Sequence, residues 1–177
     1  NALNPLNKLN SAAGFLGISV GVAGATSLIK KFINEASKIE DATARFDPLV
    51  GGIANAEALV KKLNIAGAQT PYEFADIADI VANFLPAMKG NGDEALRIFN
   101  MIGDAAGGNV DRLQRIALGY NKTLLKQKVT LEGLNIIAEA GVPIFGEMAK
   151  VMYKDENATA KLFDAITAGK VPMNVLE

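Results

Sequence analysis

Glycine, proline and small capping residues interrupt this chain at short intervals, and between the interruptions apolar residues recur at steps of three and four. That spacing puts side chains on one face of a helix, whereas a half-buried strand needs strict alternation. No run alternates strictly and β-branched residues do not cluster. The chain therefore reads as all-α, a compact bundle of short helices preceded by one long N-terminal helix with an apolar, Gly-rich first half. No fixed-period repeat is visible, which disfavours a solenoid. Hydrophobic residues make up 50% of the 177 positions, enough to bury a core in one domain, or in one domain with an appendage. The chain begins at Asn1 without a Met and ends abruptly, so a piece of a longer protein is expected.

The long helix is predicted from about Ser11 to about Arg45, where Asp47-Pro48 and then Gly51-Gly52 break the pattern. Its two halves differ chemically. Leu9 to Ile29 is a run of about 21 uncharged residues, and a helix of that length spans roughly 30 Å, the thickness of a bilayer core. Lys30-Lys31 follows, and then an amphipathic stretch with Leu28, Phe32, Ala36, Ile39, Thr43 and Phe46 on one stripe. The division expected is residues 1–30 as an apolar segment and 31–177 as a helical domain.

Downstream, a helix from about Ala56 to Gln69 buries Leu59, Leu63 and Ala66. Thr70-Pro71-Tyr72-Glu73 has the pattern of a capping box with proline at the first helical position. It predicts a helix carrying Phe74, Ile77, Ala78, Val81 and Leu85 that Pro86 ends or kinks. Asp93 opens the next, with Leu96, Phe99, Met101 and Ile102 inward, and Gly107-Gly108 stops it. Asn109 caps a helix with Leu113, Ile116, Ala117, Tyr120 and Leu124 on its face. Thr130 caps another with Leu131, Leu134, Ile137 and Ala138, closed by Gly141. Pro143 starts a helix with Ile144, Met148, Val151 and Met152. Asn157 precedes one with Leu162, Phe163 and Ile166, stopped by Gly169, and Pro172 begins the last.

Composition excludes most chemistries. The chain has no His, Cys or Trp, which removes most transition-metal sites, disulfides, thiol nucleophiles and Ser-His-Asp catalysis. Eighteen basic residues face nineteen acidic ones for a net charge of −1, so electrostatic capture of nucleic acid is not the main function.

Several words recur in a recognisable order. Thr70-Pro71-Tyr72-Glu73-Phe74-Ala75-Asp76-Ile77-Ala78 is followed by Gly103-Asp104-Ala105-Ala106-Gly107-Gly108-Asn109, then Arg115-Ile116-Ala117-Leu118-Gly119, Leu131-Glu132-Gly133-Leu134-Asn135, and Glu139-Ala140-Gly141-Val142-Pro143-Ile144. As an ordered set over roughly Ile33 to Glu177 they resemble the N-terminal conserved domain of tail tape measure proteins of long-tailed bacteriophages and prophages. Gly14 to Ile29 followed by Lys30-Lys31 matches, in character, an apolar segment that the family often carries. The sequence departs from the family pattern at Tyr120-Asn121 and Val129, where a Gln and a Gly-Lys-rich turn are expected. The resemblance implies a virion structural protein, not an enzyme, held in several copies in the tail tube lumen after assembly in the bacterial cytoplasm. It also implies that the full protein's length, through a long helical remainder, sets tube length and that the protein assists genome passage through the host inner membrane. Implied partners are other copies of itself, tail tube and tail assembly chaperone proteins and the host inner membrane, with no specific nucleic acid sequence.

The candidate contact residues are Gly14, Gly17, Gly21 and Gly24. Spaced by three, four and three, they share one helical face and let another backbone approach, and Gly17 to Gly21 is a GxxxG match. Three readings stay open: membrane contact, helix packing between copies, and a plain core or loose apolar stretch, since each Gly costs a soluble helix about 1 kcal/mol. Gly103 to Asn109 looks superficially like a phosphate loop, but it lacks the P-loop spacing, the Lys-Ser or Lys-Thr and a preceding strand, so it reads as a helix-to-helix turn. Asp76 and Asp79, and Asp93 and Glu94, fit no EF-hand or other ligand pattern and read as solvated helix faces. Lys122, Lys126 and Lys128 beside Tyr120 form a weak basic cluster that reads the same way. No catalytic, cofactor-binding or metal residue is assigned. A membrane-active helical module unrelated to tails and a cell-wall hydrolase fragment remain as alternatives, the second without any catalytic constellation to support it.

Overall fold

A computed structural model describes residues 25–154 and 157–176, with side chains from residue 36 onward. Among the described residues the chain forms eight α-helices and no strand: α1 Ala25–Val50, α2 Ile53–Gln69, α3 Phe74–Phe84, α4 Gly92–Ala106, α5 Val110–Leu125, α6 Leu131–Glu139, α7 Ile144–Met152 and α8 Ala158–Thr167. A 3₁₀ turn, Met173–Leu176, follows. The apolar, Gly-rich first half predicted for the long helix lies outside the described residues up to position 24.

The caps explain most of the boundaries. The Asn91 side chain accepts from the Glu94 amide at 3.1 Å, Asn109 from the Arg112 amide at 2.8 Å and Thr130 from the Gly133 amide at 3.2 Å. Each satisfies an amide that has no partner within its own helix. At the far ends, Gly107 with φ 61, Gly141 with φ 83 and Gly169 with φ 66 turn the chain in the left-handed region open to glycine. The helix expected at Asp93 thus starts at Gly92, capped by Asn91, with Asp93 and Glu94 in its first turn.

Two boundaries differ from expectation. Thr70 does not open a capping box. Its hydroxyl donates back to the Ala66 carbonyl at 2.8 Å, closing α2, and residues 70–73 stay outside both helices, so α3 begins at Phe74 without a side-chain cap. Pro48 does not end α1, which runs on to Val50. Proline removes the amide that would have bonded to the Ala44 carbonyl, but Ala44 and Pro48 are both exposed, so water reaches that side of the helix. The break falls instead at Gly51 and Gly52, with φ 78 and 134.

Apolar faces from all eight helices meet in one core. Phe46, Leu63, Ile77, Phe84, Phe99, Leu113, Leu134 and Leu162 are fully buried in it. Phe84 meets the Tyr120 ring edge-on with centroids 5.7 Å apart. The tightest seam joins α5 to α6. A Cβ on Gly119 would lie 2.6 Å from the Gly133 carbonyl oxygen, and one on Gly133 would lie 2.6 Å from that of Gly119. The two backbones touch there because neither carries a side chain.

Candidate functional site

Of the five words read from the sequence, the first meets the second in space and the third meets the fourth. Tyr72, in the extended stretch between α2 and α3, is 3% exposed. Its hydroxyl donates to the Gly103 carbonyl at 2.7 Å and accepts from the Gly108 amide at 2.9 Å. Those two groups belong to the last turn of α4 and the residue after its C-cap, so one phenol ties the α2–α3 link to the α4–α5 turn. Its ring lies edge-on to Phe99 at 5.8 Å. Gly103 is small because the ring needs the space: a Cβ there would be 3.1 Å from Tyr72 Cε2. Pro71 covers Gly108, where a Cβ would be 3.3 Å from its Cγ.

The remaining words form the next joints. Gly119 and Gly133 make the α5–α6 crossing, and the Arg112 guanidinium donates to the Gly141 carbonyl at 3.1 Å, joining the start of α5 to the α6–α7 turn. Tyr72→Phe removes the hydroxyl from two backbone groups at once. It should lower unfolding stability by about 2 kcal/mol, and chemical denaturation should show the shift at unchanged helix content.

The depression beside this joint, about 450 Å³, is bounded by Thr70, Pro71, Tyr72, Asn100, Asp104 and Gly107. Its walls mix backbone, amide and one carboxylate with the rings of Pro71, Tyr72 and Phe99, and the turn that resembles a phosphate loop is held from inside by a phenol. Asp76 and Asp79 lie at the rim of a second hollow of about 270 Å³ between α3 and α5, where Ile80, Phe84 and Leu118 also contribute. Arg45 pairs with Asp79. Asp93 pairs with Lys62 and Glu94 with Arg97. Among the described residues no group of three or more carboxylates is placed to hold a metal ion.

Of the basic cluster, Lys122 and Lys126 both pair with Glu132, Lys126 at 3.1 Å. Lys128 reaches toward the turn after α8, where a Cβ on Gly169 would be 3.1 Å from its Nζ. Tyr120 is buried against Phe84 and offers no stacking face beside these lysines. Hydrogen bonds from Lys122 and then Lys126 hold the Glu132 carboxyl below its ordinary value of 4.5. A carboxyl lowered on folding stabilises above its unfolded value and loses that contribution as pH falls through the lowered one. NMR titration should show Glu132 protonating at lower pH than a free glutamate, and Lys122→Met should move it back up.

One comparison with known proteins gives a match. The tape measure protein family matches residues 30–177, so all five words fall inside the matched region. The chain belongs to the tape measure protein family. The family is structural, and its place is the phage tail. No curated protein and no solved structure matches the chain. Within this tape measure domain the words read from the sequence lie where helices touch or turn. Gly14, Gly17, Gly21 and Gly24 precede both the matched region and the described residues. Sequence reasoning identified the words but missed the role of Tyr72, whose only local signal was an aromatic residue next to proline in a link between helices.

Proposed function

We propose that this chain is a folded module of a longer tape measure protein, held in several copies in the lumen of a phage or prophage tail tube. The rest of the protein sets the tube's length, and the protein leaves ahead of the genome and assists its passage through the host inner membrane. The observation that carries this reading is the family match over residues 30–177. Residues 31–177 form the module and residues 1–30 an apolar appendage. In the appendage Gly14, Gly17, Gly21 and Gly24 offer one smooth face to a neighbouring copy or to lipid. Tail tube and assembly chaperone proteins are its partners.

Mass spectrometry of purified virions tests the reading. Peptides of this chain are expected in intact tails and depleted from tails that have ejected their genome; their absence from purified tails overturns it. Lengthening the helical remainder should extend the tube by about 1.5 Å for each added residue, whereas substitutions within residues 31–177 should leave the length of assembled tails unchanged.

A second reading, a membrane-active module unrelated to tails, draws on the uncharged run from Leu9 to Ile29. Among the described residues no helix is long and apolar enough to cross a membrane. Dye leakage from vesicles by the full chain would support the second reading if tails contain none of it.

A further inference from the structure

Helix α2 presents a palindromic ridge to solvent. Ile53, Glu57, Lys61 and Ile65 follow at steps of four, the spacing at which side chains line up as a packing ridge, and all four are exposed. Ile53 is 54% and Ile65 47% exposed, on a helix whose opposite face is buried through Ala56, Leu59, Leu63 and Ala66. Between the two isoleucines, Glu57 and Lys61 sit one turn apart, and among the described residues neither forms an ion pair. From either end the order is apolar, charged, charged, apolar, with the signs exchanged. A second copy laid antiparallel across the ridge, with a two-fold axis at the height of Leu59, therefore brings Ile53 level with the partner's Ile65 and Glu57 level with the partner's Lys61, twice over.

The surroundings suit such an approach. The parallel row beside the ridge begins with Ala54 and Ala58, both exposed and too small to block a neighbour, and ridges of this kind interlock at a crossing of about −50°. At the Ile53 end an open groove of about 480 Å³ runs between α1 and α2, walled by Ile39, Thr43 and Val60 and lined also by Glu40 and Glu57. It offers apolar walls to an entering isoleucine and two carboxylates to the lysine one turn away. We propose that two copies of this chain pair through α2, antiparallel about a two-fold axis, each copy's Ile65 entering the other's groove and Glu57 meeting Lys61 across the contact. Pairing takes the exposed isoleucines out of water and sets opposite charges face to face. The surface is small, so the dimer is of the weak, concentration-dependent kind. This inference does not rest on a role in the phage tail.

Sedimentation velocity of the full chain over a concentration series should show the parent passing from monomer to dimer. Glu57→Lys and Lys61→Glu each set like charges opposite one another and should weaken the dimer about tenfold or more. Mixed one to one, these two variants complement each other and should restore it. The double variant Glu57→Lys with Lys61→Glu, whose ridge is the same palindrome reversed, should restore it as well. Ile65→Ser should weaken the dimer by a similar factor, whereas Leu125→Ser, at a side chain 60% exposed on α5, should leave it unchanged. Every substituted position is exposed, so circular dichroism should stay that of the parent. A parent that remains monomeric at millimolar concentration overturns the proposal. So does association that the single charge reversals leave unchanged, or a mixture that associates no more tightly than either variant alone.

Discussion

Gly119→Ala should lower stability by about 3 kcal/mol and the Tm by about 10 °C. On an exposed helix the same change would stabilise by about 1 kcal/mol. The sign reverses here because the new methyl would meet the Gly133 carbonyl oxygen at 2.6 Å and Ile137 Cγ1 at 2.7 Å. A flexible side chain can swing aside from such a contact, but a helical carbonyl such as that of Gly133, in the first turn of α6, moves only with its helix. The α5–α6 seam therefore opens along its length. Thermal denaturation followed by circular dichroism reads the loss, and Gly146→Ala is the control: its Cβ would find nothing within 4 Å, so the Tm should hold or rise. Equal behaviour of the two variants would show that the crossing is looser than described.

Phe84→Ala should be the most damaging of the aromatic truncations, at about 4 kcal/mol. Phe84 is fully buried at the end of α3 and meets Tyr120 of α5 edge-on at 5.7 Å. Deleting the ring removes its own transfer energy and leaves a cavity that two helices with glycine-tight neighbours cannot collapse to fill. Urea denaturation should show a lower midpoint with little change in slope. Leu118→Ala, at a side chain 52% exposed, should stay within about 0.5 kcal/mol of the parent.

How far the sequence led can be judged from particular residues. Asn109, Thr130, Gly107 and Gly169 carry their structural meaning locally: an amide needs an acceptor, or a backbone needs a positive φ, and the residue type announces it. Buried faces were legible where Ile77, Leu113 and Leu134 lie on stripes fixed by helical geometry, but Val151 and Phe163, read onto such faces, are exposed. Thr70 misled because its pattern was a sound local start signal overruled from elsewhere. Its hydroxyl closes α2, and Tyr72 must stand clear of any helix to reach Gly103 and Gly108, which are more than thirty residues away in the chain. Pro48 misled because the penalty for a mid-helix proline depends on whether the orphaned carbonyl meets water, and exposure belongs to the fold. The two glycines of the α5–α6 crossing appeared in the family words, but nothing local announces that Gly119 and Gly133 face each other. Gly14, Gly17, Gly21 and Gly24 remain a sequence expectation, outside the described residues.

The order of the helices has one further consequence. The most extensive pairs join neighbours in sequence, α1 with α2, α5 with α6 and α7 with α8. Closing such short loops sacrifices little chain entropy before contacts begin to form, and domains wired this way cross their folding barrier in microseconds to milliseconds. A chain wired this way would then spend only a brief interval with its greasy faces bare, which narrows the time window for tangling.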